Sequence, residues 1–472
     1  MFRNFASIAG LGVGLLAGLT LPVEEAGAQI SPCERSLTYL DEQYGSDPAT
    51  RAAFDAAYAG LKPLPPGYSY GNSTANPWKK SGSGAGLADA VGAFYSDVCT
   101  LLPQIVGTND NALDSIQYFA WLYYHNEAGR RMVEGIDSND PAKPLKSVQT
   151  FLIMFNEDYK AHMDSLASTR YVPEWVKDPR LEIEDYVHQE PEAYKSWNAF
   201  FARNLKYDSA SGAFPSRPVT MPGRDYVVVS PTDCIMNPLV QIVKTEAGDV
   251  SRRLIENPLQ NDTILDVKGI PLSMDDMLAH TPQELKDRFR GGSGLACVLM
   301  PNTYHHFHSP VDGTILHAEI VEAGTKYAFG TFGYDDWPNW VPLSGDVGRP
   351  GTDFSQFQGF TRGVIVMEVS YKNLQGKQPE MLRGLVASIP VGLDTVGSVV
   401  FAEGVERGAK VTKGVTAFGN FYFGGSLNIL LFSPIEGTDA QMVSPAVQTR
   451  MGNQIAILNT PYPAPKTPWT PD

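Results

Sequence analysis

The chain has 472 residues, 43% of them hydrophobic, and 37 Lys and Arg against 52 Asp and Glu give a formal net charge of −15. That is enough apolar material for a large buried core and one to three domains, and it excludes a disordered chain. No run of Lys and Arg stands out, which argues against nucleic acid or a strongly anionic membrane surface as a partner.

In chain order, Arg3 precedes an apolar stretch over residues 8–21, and Ala26-Gly27-Ala28 supplies small residues at cleavage positions. This pattern predicts a signal peptide over residues 1–28 and an exported protein, periplasmic or secreted. A membrane anchor is the competing reading, but the stretch is short and glycine-rich for a span, and no later segment is long and apolar enough to cross a bilayer. Any membrane contact is expected to be peripheral. The four cysteines, Cys33, Cys99, Cys234 and Cys297, are too few for a disulfide scaffold. Cys33 with Cys99 and Cys234 with Cys297 is one pairing of three, and buried free thiols are the alternative.

From residue 48 to about 206 the pattern is helical. Its clearest stretch is Val148, Phe151, Leu152, Phe155, Tyr159, Met163 and Leu166, spaced by threes and fours as a core-facing stripe. Similar stretches cover 87–102, 113–133 and 185–204, with a Gly, Ser, Asn and Pro loop over 72–86. Past Arg217-Pro218 the texture changes to short β-branched or apolar runs at 226–229, 295–300, 314–321, 363–369, 385–389, 396–401 and 428–432. The expected fold class is therefore α+β, a helical N-terminal region followed by a β-rich domain. Residues 329–357, heavy in aromatics, Gly and Asp, read as an excursion that covers a site, and 461–472 as a Pro-rich tail.

Two segments carry chemistry. Tyr304-His305-His306-Phe307-His308-Ser309-Pro310 places three of the eight histidines within four residues, and histidine is the side chain best placed to move protons near neutral pH. On a strand His306 and His308 would share a face like a metal-binding His-x-His, but the Glu such a site wants four or five residues on is replaced by Asp312 and Gly313; the expected metal complement is none. The second segment is Phe423-Gly424-Gly425-Ser426-Leu427. Gly-Gly before a strand usually means a tight turn, yet a serine after glycine can attack the preceding carbonyl, because glycine puts no side chain in its path.

Taken together these segments resemble phosphatidylserine decarboxylases, whose Tyr-His-Arg-x-His-x-Pro is similar to residues 304–310 and whose Gly-Ser-Thr self-cleavage motif is similar to Gly425-Ser426-Leu427. Other family pieces follow in order: Phe200-Phe201-Ala202-Arg203, Arg217-Pro218, Ser230-Pro231-Thr232-Asp233, Lys268-Gly269, Val396-Gly397-Ser398 and Lys413-Gly414. The resemblance implies a β-rich catalytic domain of that type over 181–460, behind a helical domain over 29–180. It also implies self-cleavage between Gly425 and Ser426, in which Asp233 orients His308 and His308 takes the proton of Ser426. The serine then becomes a covalent pyruvoyl cofactor, which engages a substrate amine as a Schiff base. His305 is the candidate proton donor to the product, or a contact to the substrate carboxylate. The cleaved large and small chains would remain partners. Four departures stand out: Cys234 for glycine, Leu427 for threonine, His306 for arginine, and Thr416 where an acidic residue is frequent.

For the substrate, the family resemblance implies phosphatidylserine, converted to phosphatidylethanolamine and CO2. The helical half, with Trp121, Tyr123, Tyr124, Ala128 and Gly129 expected in one helix, resembles the extra domain of soluble relatives acting on free aromatic amino acids such as tryptophan. A non-enzymatic binding protein on the same fold is the third reading.

Overall fold

A computed structural model of the chain describes residues 31–64, 67–81, 84–102, 105, 118–119, 121–133, 135–137, 139–140, 143–244, 250–254, 264–267, 270–321, 362–374, 380–392, 399–422, 426–434, 441–442 and 447–458. The expected signal peptide, the 329–357 excursion, the 461–472 tail, Lys268-Gly269, residues 396–398 and Gly424-Gly425 lie outside the described residues.

Helices begin earlier than the periodicity indicated. α1 (Glu34–Ser46) precedes α2 (Pro48–Gly60), and Asp47 between them caps α2 by accepting from the Ala49 and Thr50 amides while Pro48 takes the first helical position. α3 (Gly84–Val98), α4 (Glu127–Val133) and α5 (Lys146–Met163) follow. On α5 the expected stripe is buried from Val148 to Met163, and Tyr95 of α3 meets Phe151 and Phe155 edge-on, with ring centroids 4.8 and 4.7 Å away. Leu166 lies beyond the helix end and is exposed.

Two expected helices are broken. Among the described residues of 113–133 the chain turns at Tyr124 and His125, the latter with φ 44°, and Asn126 Oδ1 accepts from the Gly129 amide to start α4. Trp121 and Gly129 therefore do not share one helix. After α6 (Val172–Trp175), the 185–204 stretch holds only 3-10 turns at Ile183–Asp185 and Pro191–Ala193 and the short α7 (Trp197–Phe201). Pro191 and the capping hydroxyl of Ser196, which accepts from Ala199, each restart the backbone.

The strands in chain order are β1 (Val227–Val229), β2 (Cys234–Pro238), β3 (Val240–Lys244), β4 (Val250–Leu254), β5 (Ile264–Val267), β6 (Ile270–Ser273), β7 (Ser293–Leu299), β8 (His306–His308), β9 (Gly313–Val321), β10 (Arg362–Lys372), β11 (Met381–Gly392), β12 (Val399–Phe401), β13 (Lys410–Val411), β14 (Ala417–Phe421), β15 (Ser426–Phe432), β16 (Gln441–Met442), β17 (Val447–Thr449) and β18 (Gln454–Ile457). Eight form one antiparallel sheet in the order β13-β9-β10-β11-β15-β7-β2-β17, and a second sheet runs β12-β14-β8. β15 is buried at all seven positions, which is why its sequence is an apolar run instead of an alternation. Sheets β4-β3-β5-β6 and β1-β18-β16 complete the set. Phe54, Phe155, Trp197, Val228, Phe307 and Leu430 belong to one apolar cluster, so helices and sheets share a core, and beyond Ser31 the chain forms a single compact unit.

A disulfide joins Cys33 to Cys99, tying the start of α1 to the end of α3, while Cys234 and Cys297 are buried thiols on neighbouring strands β2 and β7. Of the two candidate bridges, one is formed, and the other pair stays as buried free thiols.

Candidate active site

The histidine segment is held by the motifs that flank it in sequence. Phe201 lays its ring 3.7 Å from that of His305, the Ala202 carbonyl accepts from His306 Nε2 at 2.9 Å, and Arg203, 2% exposed, donates to the Asn302 carbonyl at 2.8 Å. From the other side the His308 amide donates to the Pro231 carbonyl at 2.8 Å, and Thr232 Oγ1 donates to the Tyr304 carbonyl. The Gly414 amide donates to the Ser309 carbonyl at 2.7 Å. Motifs scattered over two hundred residues thus converge on one short stretch.

Asp233 does not reach His308. Its carboxylate accepts three hydrogen bonds from Arg217, Nε at 3.0 Å to each oxygen and Nη2 at 2.8 Å, and a fourth from the Met451 amide at 2.8 Å. Arg217 also donates to Asp185 and meets Glu182, and it is 2% exposed. Burial opposes the guanidinium charge, yet Asp233 and its neighbours hold it above its ordinary range. Among the described residues the expected Asp233–His308 hydrogen bond is absent: the Asp233 carboxylate is taken up by the buried Arg217 guanidinium and the Met451 amide.

His308 instead places Nε2 3.0 Å from the Tyr304 hydroxyl and Nδ1 3.4 Å from the Val415 carbonyl. Burial, followed by the charge of His306, lowers its pKa to about 3, so the ring is neutral across physiological pH. Burial raises the Tyr304 phenol well above its usual range, which keeps it the donor in that contact. His306 stacks on Tyr304 at 4.8 Å, and its pKa falls to about 4, chiefly through burial. His305 is buried, with Nδ1 2.9 Å from the Thr303 carbonyl.

Ser426 opens β15, fully buried, opposite Gly392 of β11 and Leu299 of β7. Leu299 ends β7, from which residues 300–304 lead directly to His305. On the other side β14 pairs Ala417 with His308 and Asn420 with His306, and the Phe421 amide donates to the His305 carbonyl at 2.9 Å before residues 422–425 lead to Ser426. Two short connections therefore tether Ser426 to the histidine segment, while Gly425 lies outside the described residues. Tyr304 and the structural use of Arg217 are what sequence reading missed; both stood in recognised motifs, but their partners come from distant segments.

The family model for phosphatidylserine decarboxylase matches residues 197–457, which includes Arg217, Asp233, Tyr304, His305, His308 and Ser426. The decarboxylase iboD of Amanita muscaria is 30% identical over 281 residues, 57% of this chain and 68% of the relative. A phosphatidylserine decarboxylase proenzyme of Shewanella baltica is 30% identical over 148 residues, 31% of this chain and 41% of the relative. Phosphatidylserine decarboxylase proenzyme 3 of Schizosaccharomyces pombe is 29% identical over 241 residues, covering 51% and 19% respectively. The chain thus spans about two thirds of the first relative and less than half of the other two.

Proposed function

The chain belongs to the phosphatidylserine decarboxylase family, and on that premise we propose that it cleaves itself between Gly425 and Ser426 and then acts as a pyruvoyl-dependent carboxy-lyase, converting phosphatidylserine to phosphatidylethanolamine with release of CO2. The observation that carries this reading is the convergence of three family motifs, those of Phe201–Arg203, Pro231–Thr232 and Gly414, on the stretch from Tyr304 to Ser309, with Ser426 tethered to it through β7 and β14.

In self-cleavage, Ser426 Oγ bonds to the Gly425 carbonyl carbon as His308 accepts the hydroxyl proton, and the C–N bond breaks to leave an ester and an amine. Elimination releases the Gly425 carboxylate, and water then displaces ammonia to leave a pyruvoyl group on the small chain. A neutral His308 is the protonation state this step needs, and burial supplies it. The Val415 carbonyl favours the proton on Nδ1 and so takes the orienting place where Asp233 was expected, while the Nε2 lone pair, which accepts from the Tyr304 hydroxyl in this structure, would exchange that contact for the Ser426 hydroxyl to act as base. Ser426 suits the group it would become: fully buried at a strand start, its backbone is paired on both sides. When formed, the pyruvoyl carbonyl supplies the electron sink for loss of CO2. We assign His305 the protonation of the product carbon, with Phe201 and the Thr303 carbonyl setting its ring.

A second reading, decarboxylation of a free aromatic amino acid, draws on the similarity to a decarboxylase whose name specifies no phospholipid and which matches 57% of this chain. Export to an oxidising compartment is part of the proposal, supported by the Cys33–Cys99 disulfide, as is a division into a helical domain over 29–180 and a catalytic domain over 181–460. Incubating purified protein with phosphatidylserine vesicles and, separately, with tryptophan tests the substrate. Carbon dioxide from the vesicles supports the lipid reading, release from tryptophan alone supports the second, and release from neither contradicts both.

A further inference from the structure

Asn428 stands two residues after Ser426, on the same face of β15. It is fully buried in a strand that beyond Ser426 is otherwise made of Leu, Ile and Phe, and only one arm of its carboxamide is used: Oδ1 accepts from Ser388 Oγ of β11 at 3.1 Å, while Nδ2 has no hydrogen-bond partner among the described residues. A buried donor without a partner is unfavourable, and an aliphatic side chain would suit this strand better unless something binds there.

The face on which it lies is fixed by its neighbours. Asn428 is opposite Pro390 of β11. A Cβ built on Gly363 of β10 would lie 2.9 Å from Pro390 Cγ and 2.5 Å from Phe401 Cε1, so Gly363, Pro390 and Phe401 meet on one side of the large sheet. Residues directly opposite in antiparallel strands share a face, which places Asn428, and Ser426 two positions along, on that same side. Phe401 belongs to β12, and the sheet β12-β14-β8 carries His306 and His308 on its far strand. Phe401, Gly419 and Phe307 stand opposite one another across that sheet, so the unused amide lies two positions from Ser426 in the layer between the cleavage-site strand and the Phe401–Phe307 face, with His306 and His308 alternating to the other face.

We propose that Asn428 Nδ2 donates a hydrogen bond to the carboxylate of the substrate and so selects amines that still carry the group to be lost. An amide donor suits an acceptor-only carboxylate without adding a net positive charge beside the reacting carbon. The inference rests on the decarboxylase reading above, and it holds for either substrate, because phosphatidylserine and a free amino acid share the same carboxylate beside the amine.

The test is reductive trapping with cyanoborohydride, read as the mass of the small chain, using phosphatidylserine against phosphatidylethanolamine in phosphatidylcholine vesicles and tryptophan against tryptamine. In processed Asn428→Leu protein, the half-saturating concentration for the carboxylate-bearing amine should rise roughly tenfold while that for its decarboxylated partner stays unchanged. If Asn428→Leu fails to fold or process, the smaller Asn428→Ala, which removes the donor without adding bulk, should show the same loss. A processed variant that treats both amines as the wild type does overturns the inference alone. Wild-type protein that is uncut, or traps neither pair, overturns the decarboxylase reading beneath it. Whichever pair is trapped identifies the source of the carboxylate.

Discussion

At the scale of single residues, the site is organised around two buried groups that behave oppositely. His308 is neutral because burial, and then the charge of His306, outweigh the Val415 carbonyl that favours its charged form, whereas Arg217 is charged because Asp233, Asp185 and Glu182 surround it. Replacing Arg217 by Met leaves Asp233 buried without its partner and is expected to cost about 3–5 kcal/mol of stability, measured by chemical denaturation, with cleavage lost as Asp233 moves. His308 has a pH signature. Its folded pKa of about 3 lies below the ordinary 6.5, so between these values the unfolded chain binds the extra proton and stability falls as pH drops through that window. Self-processing, by contrast, should show no inflection near 6.5; a rate that halves there would mean that His308 titrates normally and is not the buried base described here. The reacting residues were legible in sequence because they occur in compact motifs, but the partner of Asp233 was not. Arg217 and Asp233 are both in recognised motifs, yet only the folded chain shows that they pair with each other.

At the scale of elements, β14 governs the site because it joins the histidine strand to the chain leading into Ser426. Gly419 at its centre has φ 155°, and a Cβ there would lie 1.9 Å from the Val400 carbonyl oxygen. A Gly419→Ala variant is expected to lose about 2–3 kcal/mol and to process slowly as β8 shifts; an unchanged denaturation midpoint would contradict this close approach. Long apolar strands such as β10, β11 and β15 were readable because burial on both faces writes a continuous hydrophobic run. β8 was not, since its three residues are His-Phe-His, and the helices expected over 113–133 and 185–204 were misread because hydrophobic spacing persists through turns that Asn126, Pro191 and Ser196 impose.

At the scale of the molecule, the helical and β-rich parts share one apolar core, so the boundary expected near residue 180 marks a change of texture and not a gap in packing. The Cys33–Cys99 bridge closes a loop of 66 residues entirely within the helical part. Removing it in a Cys33→Ser, Cys99→Ser double variant is expected to lower stability by about 4 kcal/mol, seen as a lower Tm, while processed protein at low temperature keeps its cleavage pattern. The most direct test of the central claim is the intact mass of the purified protein under denaturing conditions. Self-processing predicts a small chain covering residues 426–472 that begins with a pyruvoyl group, and a Ser426→Ala variant that stays whole. A single uncut wild-type chain, or a Ser426→Ala variant still cut at that bond, would contradict it.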